Sequence, residues 1–177
     1  MKFKSMLLGI IVLVFVSSGI SAAQYLTEWV NPFIGATNYG TTNSGAILPH
    51  GMVSVTPFNV SGKSELNKRD KNDGWWSTPY SYDNNFFTGY SHVNLSGVGC
   101  PELGVILVMP TTGKVQTRNS DYGSPMSRQS ASPGYYTCFL DKYNIKTEVS
   151  ATERTGLSRF TFPEGQSNVL IEVGCLM

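Results

Sequence analysis

The side chains of this sequence that are able to do chemistry gather in two glycine-containing stretches. "SHVNLSGVGCPELG" (Ser91 to Gly104) holds one of the two histidines, His92, one of the three cysteines, Cys100, and also Asn94 and Glu102. "GWWSTPYSY" (Gly74 to Tyr82) holds the tandem Trp75 and Trp76 behind Gly74. Aromatic faces stack on the C–H faces of a sugar ring, and amides and carboxylates bond its hydroxyls. Gly74 lets the backbone come close to a ligand. His92 and Asn94 flank Val93 in an extended segment, so both point to one side. Gly97 and Gly99 let the loop turn sharply and expose its N–H groups, and Glu102 is placed to meet a hydroxyl or an arginine. The candidate ligand-contacting set is therefore Gly74, Trp75, Trp76, His92, Asn94 and Glu102. The plain alternative has the tryptophans plugging a core or an interface, His92 and Asn94 satisfying loop backbone, and Glu102 in a salt bridge or solvated turn.

Other chemistries find less support. Acid–base cleavage of a glycoside needs two carboxyl groups, roughly 6.5–9.5 Å apart in the inverting case. Asp73 and Asp83 are separated by an aromatic loop, Glu102 stands alone, and Glu148, Glu153 and Glu172 fall in or beside strand-like runs, expected on solvated faces. A calcium ion takes six to eight oxygens, and no acidic cluster supplies them. Cys100 has no base placed beside it, and Gly-x-Ser-x-Gly is absent. We expect no catalytic residue and no metal ligand in this chain. Asn59-Val60-Ser61 and Asn94-Leu95-Ser96 match the glycosylation sequon, a weak motif.

The N-terminus reads as an export signal. Lys2 and Lys4 precede the apolar run Met6 to Val16, and Ser21 and Ala23 suit a cleavage site after Ala23. The run is short for a membrane span, which needs about 20 apolar residues. The expected division is a signal peptide over 1–23 and one domain over 24–177, in the periplasm or outside the cell, with no stable membrane anchor. Net charge is +1 with scattered basic residues, so nucleic acid is not an expected partner. Charged residues make up only 14% and aromatics 12%, a surface chemistry suited to neutral polar ligands such as sugars. An ordinary secreted β domain has the same composition. Cys100, Cys138 and Cys175 are odd in number and fit no zinc spacing, so no disulfide framework is expected.

The elements that must position these residues read as strands. "GMVSVTPF", "GYYTCFL" and "NIKTEVSAT" alternate, and "LGVILVMP" is a short continuous apolar run, as for a strand buried on both faces. "GLSRFTFP" and "NVLIEVG" complete the set, and "DKYN" (Asp141 to Asn144) reads as a hairpin turn. The pattern predicts an all-β antiparallel sandwich with long irregular loops, preceded by the signal-peptide helix; a barrel is the weaker alternative. The last apolar strand would leave an open edge, so the domain is expected to be incomplete at its C-terminal side.

Taken in order, several blocks resemble glycoside hydrolase family 92, the exo-acting α-mannosidases. They are "VNPFIGA" (Val30 to Ala36), "SGAILPHGMVSVTP" (Ser44 to Pro57, with His50 where the family has Phe), "GYSHVNLSGVGCPELGVILVMPTTG" (Gly89 to Gly113) and "ASPGYYTCFLDKYNIKTEVSATERTGLSRFTFP" (Ala131 to Pro163). The resemblance implies an N-terminal β-sandwich followed by an (α/α)6 helical domain. That second domain would hold the acid, the base and a calcium ion of an inverting enzyme that removes mannose from glycans. This chain would then be the cleft-forming, carbohydrate-binding half, inactive alone, with the helical domain and a mannose-containing glycan as partners. A stand-alone carbohydrate-binding or surface-interaction module is the other reading.

Overall fold

The structure is a computed structural model that describes residues 26–36, 42, 44–59, 79–94, 104 and 106–173. The chain forms two units, Met1–Asn31 and Pro32–Met177. The described part of the first contains a single 3-10 turn, Leu26–Trp29, with the Val30 N–H donating to the Thr27 carbonyl at 3.3 Å. The expected signal segment lies outside the described residues.

The second unit contains ten described strands in two antiparallel sheets. One sheet has the order β1 (Ala46–Ile47), β2 (Ser54–Phe58), β4 (Gly89–Ser91), β5 (Leu107–Thr112) and β10 (Ser167–Glu172). The other runs β3 (Phe86–Phe87), β6 (Ser124–Ser132), β7 (Tyr135–Leu140), β8 (Ile145–Ala151) and β9 (Gly156–Thr161). One helical turn, α1 (Asn119–Tyr122), leads into β6. The expected all-β sandwich is therefore what the chain forms.

Alternation explains the second sheet. Ile145, Thr147, Val149 and Ala151 all face the core from β8, while Lys146 is exposed. The turn Asp141–Asn144 joins β7 to β8 as a hairpin, with Leu140 paired to Ile145. Asn144 takes the left-handed conformation (φ 53°) that asparagine tolerates better than most residues. Continuous apolarity explains β5, where Leu107, Met109 and Pro110 are all buried.

The core is unusually rich in tyrosine. Tyr80, Tyr90 and Tyr136 are fully buried among Phe87, Met109, Leu140 and Ile145. Tyr90 lies edge-on to Phe87 (4.9 Å between centroids) and to Tyr136 (6.3 Å), so it joins the two sheets. Buried hydroxyls need partners. Tyr90 shares a 2.6 Å hydrogen bond with the Thr147 hydroxyl, and Tyr80 and Tyr136 both donate to Gln129 Oε1, at 2.6 and 2.8 Å. Gln129 reaches them because β6 bulges there: the register shifts between Ser127 and Ser130, with Arg128 at φ 52°. Burial pushes the phenols of Tyr90 and Tyr136 well above their usual range, so they stay neutral donors. Cys138 is buried in the same cluster, 3.2 Å from the Thr147 hydroxyl, and burial raises its thiol too, leaving it unreactive. Cys100 and Cys175 lie outside the described residues.

Candidate functional site

Gly74, Trp75, Trp76 and Glu102 lie outside the described residues. What the structure describes is how the two segments that carry them leave the sandwich and return. The segment 60–78 leaves after Asn59 and returns at Pro79, and its ends are clamped. The Asn59 N–H donates to the Pro79 carbonyl (2.9 Å), and its side-chain amide donates to the carbonyls of Ser81 (2.8 Å) and Asn84 (2.5 Å). Asn59 Oδ1 accepts from the Ser81 N–H at 2.8 Å, and the Asn84 amide returns a bond to the Asn59 carbonyl. Asn59 and Asn84 are only 1% and 3% exposed. A rigid two-asparagine clasp thus fixes both ends of the tryptophan-bearing segment.

The segment 95–103 has a different clasp. The Gly104 N–H donates to the Val93 carbonyl at 2.7 Å. Asn94 donates to the Ser54 carbonyl (3.2 Å) and hydroxyl (3.1 Å), and accepts from the Ser91 hydroxyl at 3.0 Å. His92 Nδ1 is 3.2 Å from the Ile106 carbonyl. The His92 ring also packs over Gly156, where an added Cβ would come within 3.0 Å of the ring and 2.5 Å of Val55. His92 and Asn94 therefore brace the base of the loop.

The two clasps stand at opposite ends of one strand. β2 and β4 are antiparallel, with Thr56 opposite Ser91 and Phe58 opposite Gly89. Asn59 follows the end of β2, whereas Asn94 lies beside Ser54 at its start. Five residues at about 3.3 Å each separate them by roughly 13–17 Å. The sequence-derived set is thus anchored at two places: Gly74, Trp75 and Trp76 on one segment, His92, Asn94 and Glu102 on or beside the other.

The Asn59 clasp was not expected from sequence, whereas the bracing by His92 and Asn94 matches the plain alternative that they satisfy loop backbone. Asn59 drew notice only as a sequon and Asn94 also as a candidate ligand contact, yet each amide nitrogen, the atom a glycan would occupy, is engaged with protein acceptors. His50, where the resembling family has Phe, occupies a turn closed by Gly51 N–H to the Leu48 carbonyl (2.9 Å). Pro49 precedes it and its φ is 61°, as at the third position of a type II turn. Histidine is more at ease there than phenylalanine.

Several of the described carboxylates are tied into structural contacts. Glu148, expected on a solvated face, is buried instead (8% exposed). It lies on the outer side of β8 but is roofed by its neighbours on β7 and β9. Arg159 grips it with two hydrogen bonds (2.9 and 2.8 Å), Tyr135 donates at 2.7 Å and Lys146 lies at 3.1 Å. Those donors, Arg159 first, hold its carboxyl at about 2 instead of the ordinary 4.5. A group so acidic is not a proton donor at neutral pH. Glu153 is exposed in the β8–β9 turn, and Glu172, exposed as expected, accepts from Tyr122 at 2.8 Å. Among the described residues no group of three or more His, Cys, Asp or Glu is placed to hold a metal.

The Glu148 cluster gives a pH signature. Its folded-state pKa is depressed, so its stabilisation is full above about pH 4.5 and is lost as pH falls toward 2. Melting temperature should fall through that window. Glu148→Gln should lower it at neutral pH and flatten the slope below pH 4.5, measured by thermal denaturation from pH 7 to 2. An unchanged slope in the variant would remove Glu148 as its source.

A two-sheet antiparallel sandwich with clamped irregular segments defines a loop-presenting β domain. Residues 29–176 match the glycosyl hydrolase family 92 N-terminal domain, and the chain belongs to that family. Among solved structures, it is 31% identical to the family GH92 α-mannosidase BT3965 of Bacteroides thetaiotaomicron, with a TM-score of 0.73 over 85% of this chain and 20% of that one. The GH92 glycosyl hydrolase ccman5 is 26% identical, with a TM-score of 0.70 over 85% of this chain and 20% of that one. A protein of Arthroderma benhamiae described as an uncharacterized secreted glycosidase is 29% identical over 82% of this chain and 19% of its own length. The chain thus spans about a fifth of each of these relatives. Among the described residues no helix is long and apolar enough to cross a membrane.

Proposed function

We propose that this chain is the cleft-wall part of an exported α-mannosidase, one that cleaves terminal mannose from glycans with inversion. The remainder of a family-length protein would supply the general acid, the general base and the calcium site. The observation that carries this reading is the match of residues 29–176 to a family N-terminal domain in relatives about five times as long. The engaged state of Glu148 supports it. In this reading the clasps at Asn59 and Asn94 hold the two segments that meet the sugar. Trp75 and Trp76 stack on the mannose ring, Gly74 lets the backbone approach, and Glu102 bonds a hydroxyl. His92 and Asn94 act as positioning residues at the base of their loop.

A chimera tests the assignment: this chain replaces the matched fifth of the B. thetaiotaomicron enzyme. Trp75→Ala or Trp76→Ala should raise KM for an α-mannobiose by roughly three- to tenfold, with a smaller change in kcat. Unchanged KM in both would remove the tryptophans from the site. Calorimetry of the isolated chain with mannobiose should give no resolvable heat; strong binding would favour a stand-alone binding module.

A further inference from the structure

Phe58 is fully buried, yet it stands outside the core cluster that Val55, Tyr90 and Tyr136 share. Alternation along β2 accounts for this. Val55 faces the second sheet, where its side chain lies against Gly156 at the start of β9, so Thr56 and Phe58 face the other way. Ser91, paired with Thr56, shares that outer face, while the His92 ring turns in against Gly156. Asn94 comes back to the outer face, where it meets the Ser91 hydroxyl at 3.0 Å and the Ser54 hydroxyl at 3.1 Å. Gly104 takes up the chain again on the same face. A Cβ placed there would lie 3.5 Å from Phe58 Cε2, 3.7 Å from Ser91 Cβ and 3.8 Å from Asn94 Oδ1. The backbone of Phe58 is fixed as firmly as its ring. Its carbonyl accepts from the Thr88 N–H at 2.9 Å and the Thr88 hydroxyl at 3.0 Å, and the next residue is Asn59, whose clasp holds the segment 60–78.

We infer that Phe58 is a positioning residue that sets the segments 60–78 and 95–103 against each other across the outer face of the first sheet. The inference rests on the proposed reading that these two segments meet the sugar. The register of β2 and β4 separates the two clasps along the strand. Phe58 spans that interval, because its backbone belongs to the Asn59 end and its ring edge reaches Gly104. Each clasp fixes its own segment. A close-packed ring between them fixes one relative to the other, since such packing leaves no slack for sliding. Closed to solvent, Phe58 acts through the segments and not on the sugar itself.

Limited proteolysis of the 177-residue chain gives the first test. Phe58→Ala should speed cutting between Val60 and Thr78 and between Leu95 and Leu103 alike, by about tenfold over Leu140→Ala compared at the same interval below melting. Leu140→Ala removes an equally buried side chain from the second sheet. No excess over Leu140→Ala, or an excess at one segment alone, would overturn the inference. In the chimera, Phe58→Ala should raise KM for an α-mannobiose by about tenfold with a much smaller change in kcat, and Leu140→Ala should leave KM within about twofold. Phe58→Leu should restore most of the loss. An active chimera whose KM does not respond to Phe58→Ala would overturn the inference and leave the family role standing. A folded chimera without mannosidase activity would count against the family role, and the proteolysis would then decide the part played by Phe58. Should Phe58→Ala not fold, Phe58→Val takes its place with effects of about threefold in both readouts, and their absence overturns the inference.

Discussion

Asn59→Ala is expected to destabilise the domain by about 2–4 kcal/mol. The side chain makes three hydrogen bonds, to the Ser81 carbonyl, the Asn84 carbonyl and the Ser81 N–H, in a place almost closed to water. Alanine removes both ends of that arrangement at once. The partner groups stay buried, and each orphaned group costs about 1–3 kcal/mol. For a domain of this size the melting temperature should drop by roughly 5–15 °C. A second readout separates this from general weakening: limited proteolysis should cut faster between Val60 and Thr78 than between Leu95 and Leu103. Equal acceleration at both would mean that Asn59 holds up the whole sandwich and not its own loop.

Tyr90→Ala should cost about 3–5 kcal/mol, the range for removing a buried aromatic ring. The ring contacts Phe87 and Tyr136 edge-on and lies parallel to Phe160 at 6.5 Å, so its loss opens a cavity where the sheets meet. Tyr90→Phe isolates the hydroxyl. It keeps the packing but leaves the Thr147 hydroxyl without its 2.6 Å partner, though Thr147 still donates to the Cys138 carbonyl at 3.1 Å. A loss of about 1 kcal/mol is expected there. Chemical denaturation of the two variants measures both terms, and equal losses would show that packing is not what Tyr90 contributes.

Much of this fold is legible in the sequence where one physical signal dominates. β8 alternates cleanly, β5 is continuously apolar, and Asp141 to Asn144 can only be a turn. β6 was not legible. "SPMSRQSAS" is short of β-branched residues and contains a proline, and it is held as a strand by pairing with β7 and by the tyrosines that Gln129 serves. β3 and β4 were hidden for another reason, being only two and three residues long. Glu148 misled because alternation put it correctly on the outer face, yet nothing local says that Arg159, eleven residues on, will fold back over it. The loop bases followed the same rule. His92 and Asn94 stood out by residue type, but their partners Ile106 and Ser54 are distant in sequence, as are Ser81 and Asn84 from Asn59. Sequence spacing gathered six residues into one set, and the register of β2 against β4 resolved their anchors into two.

Turnover by the isolated chain bears most directly on the claim that the sandwich shapes a cleft and the proton transfers happen elsewhere. The purified 177-residue protein, given an α-mannobiose with calcium, is predicted to release no mannose above the buffer rate, while the chimera under the same conditions releases it. Sustained mannose release by the isolated chain, abolished by a substitution within it, would contradict the account.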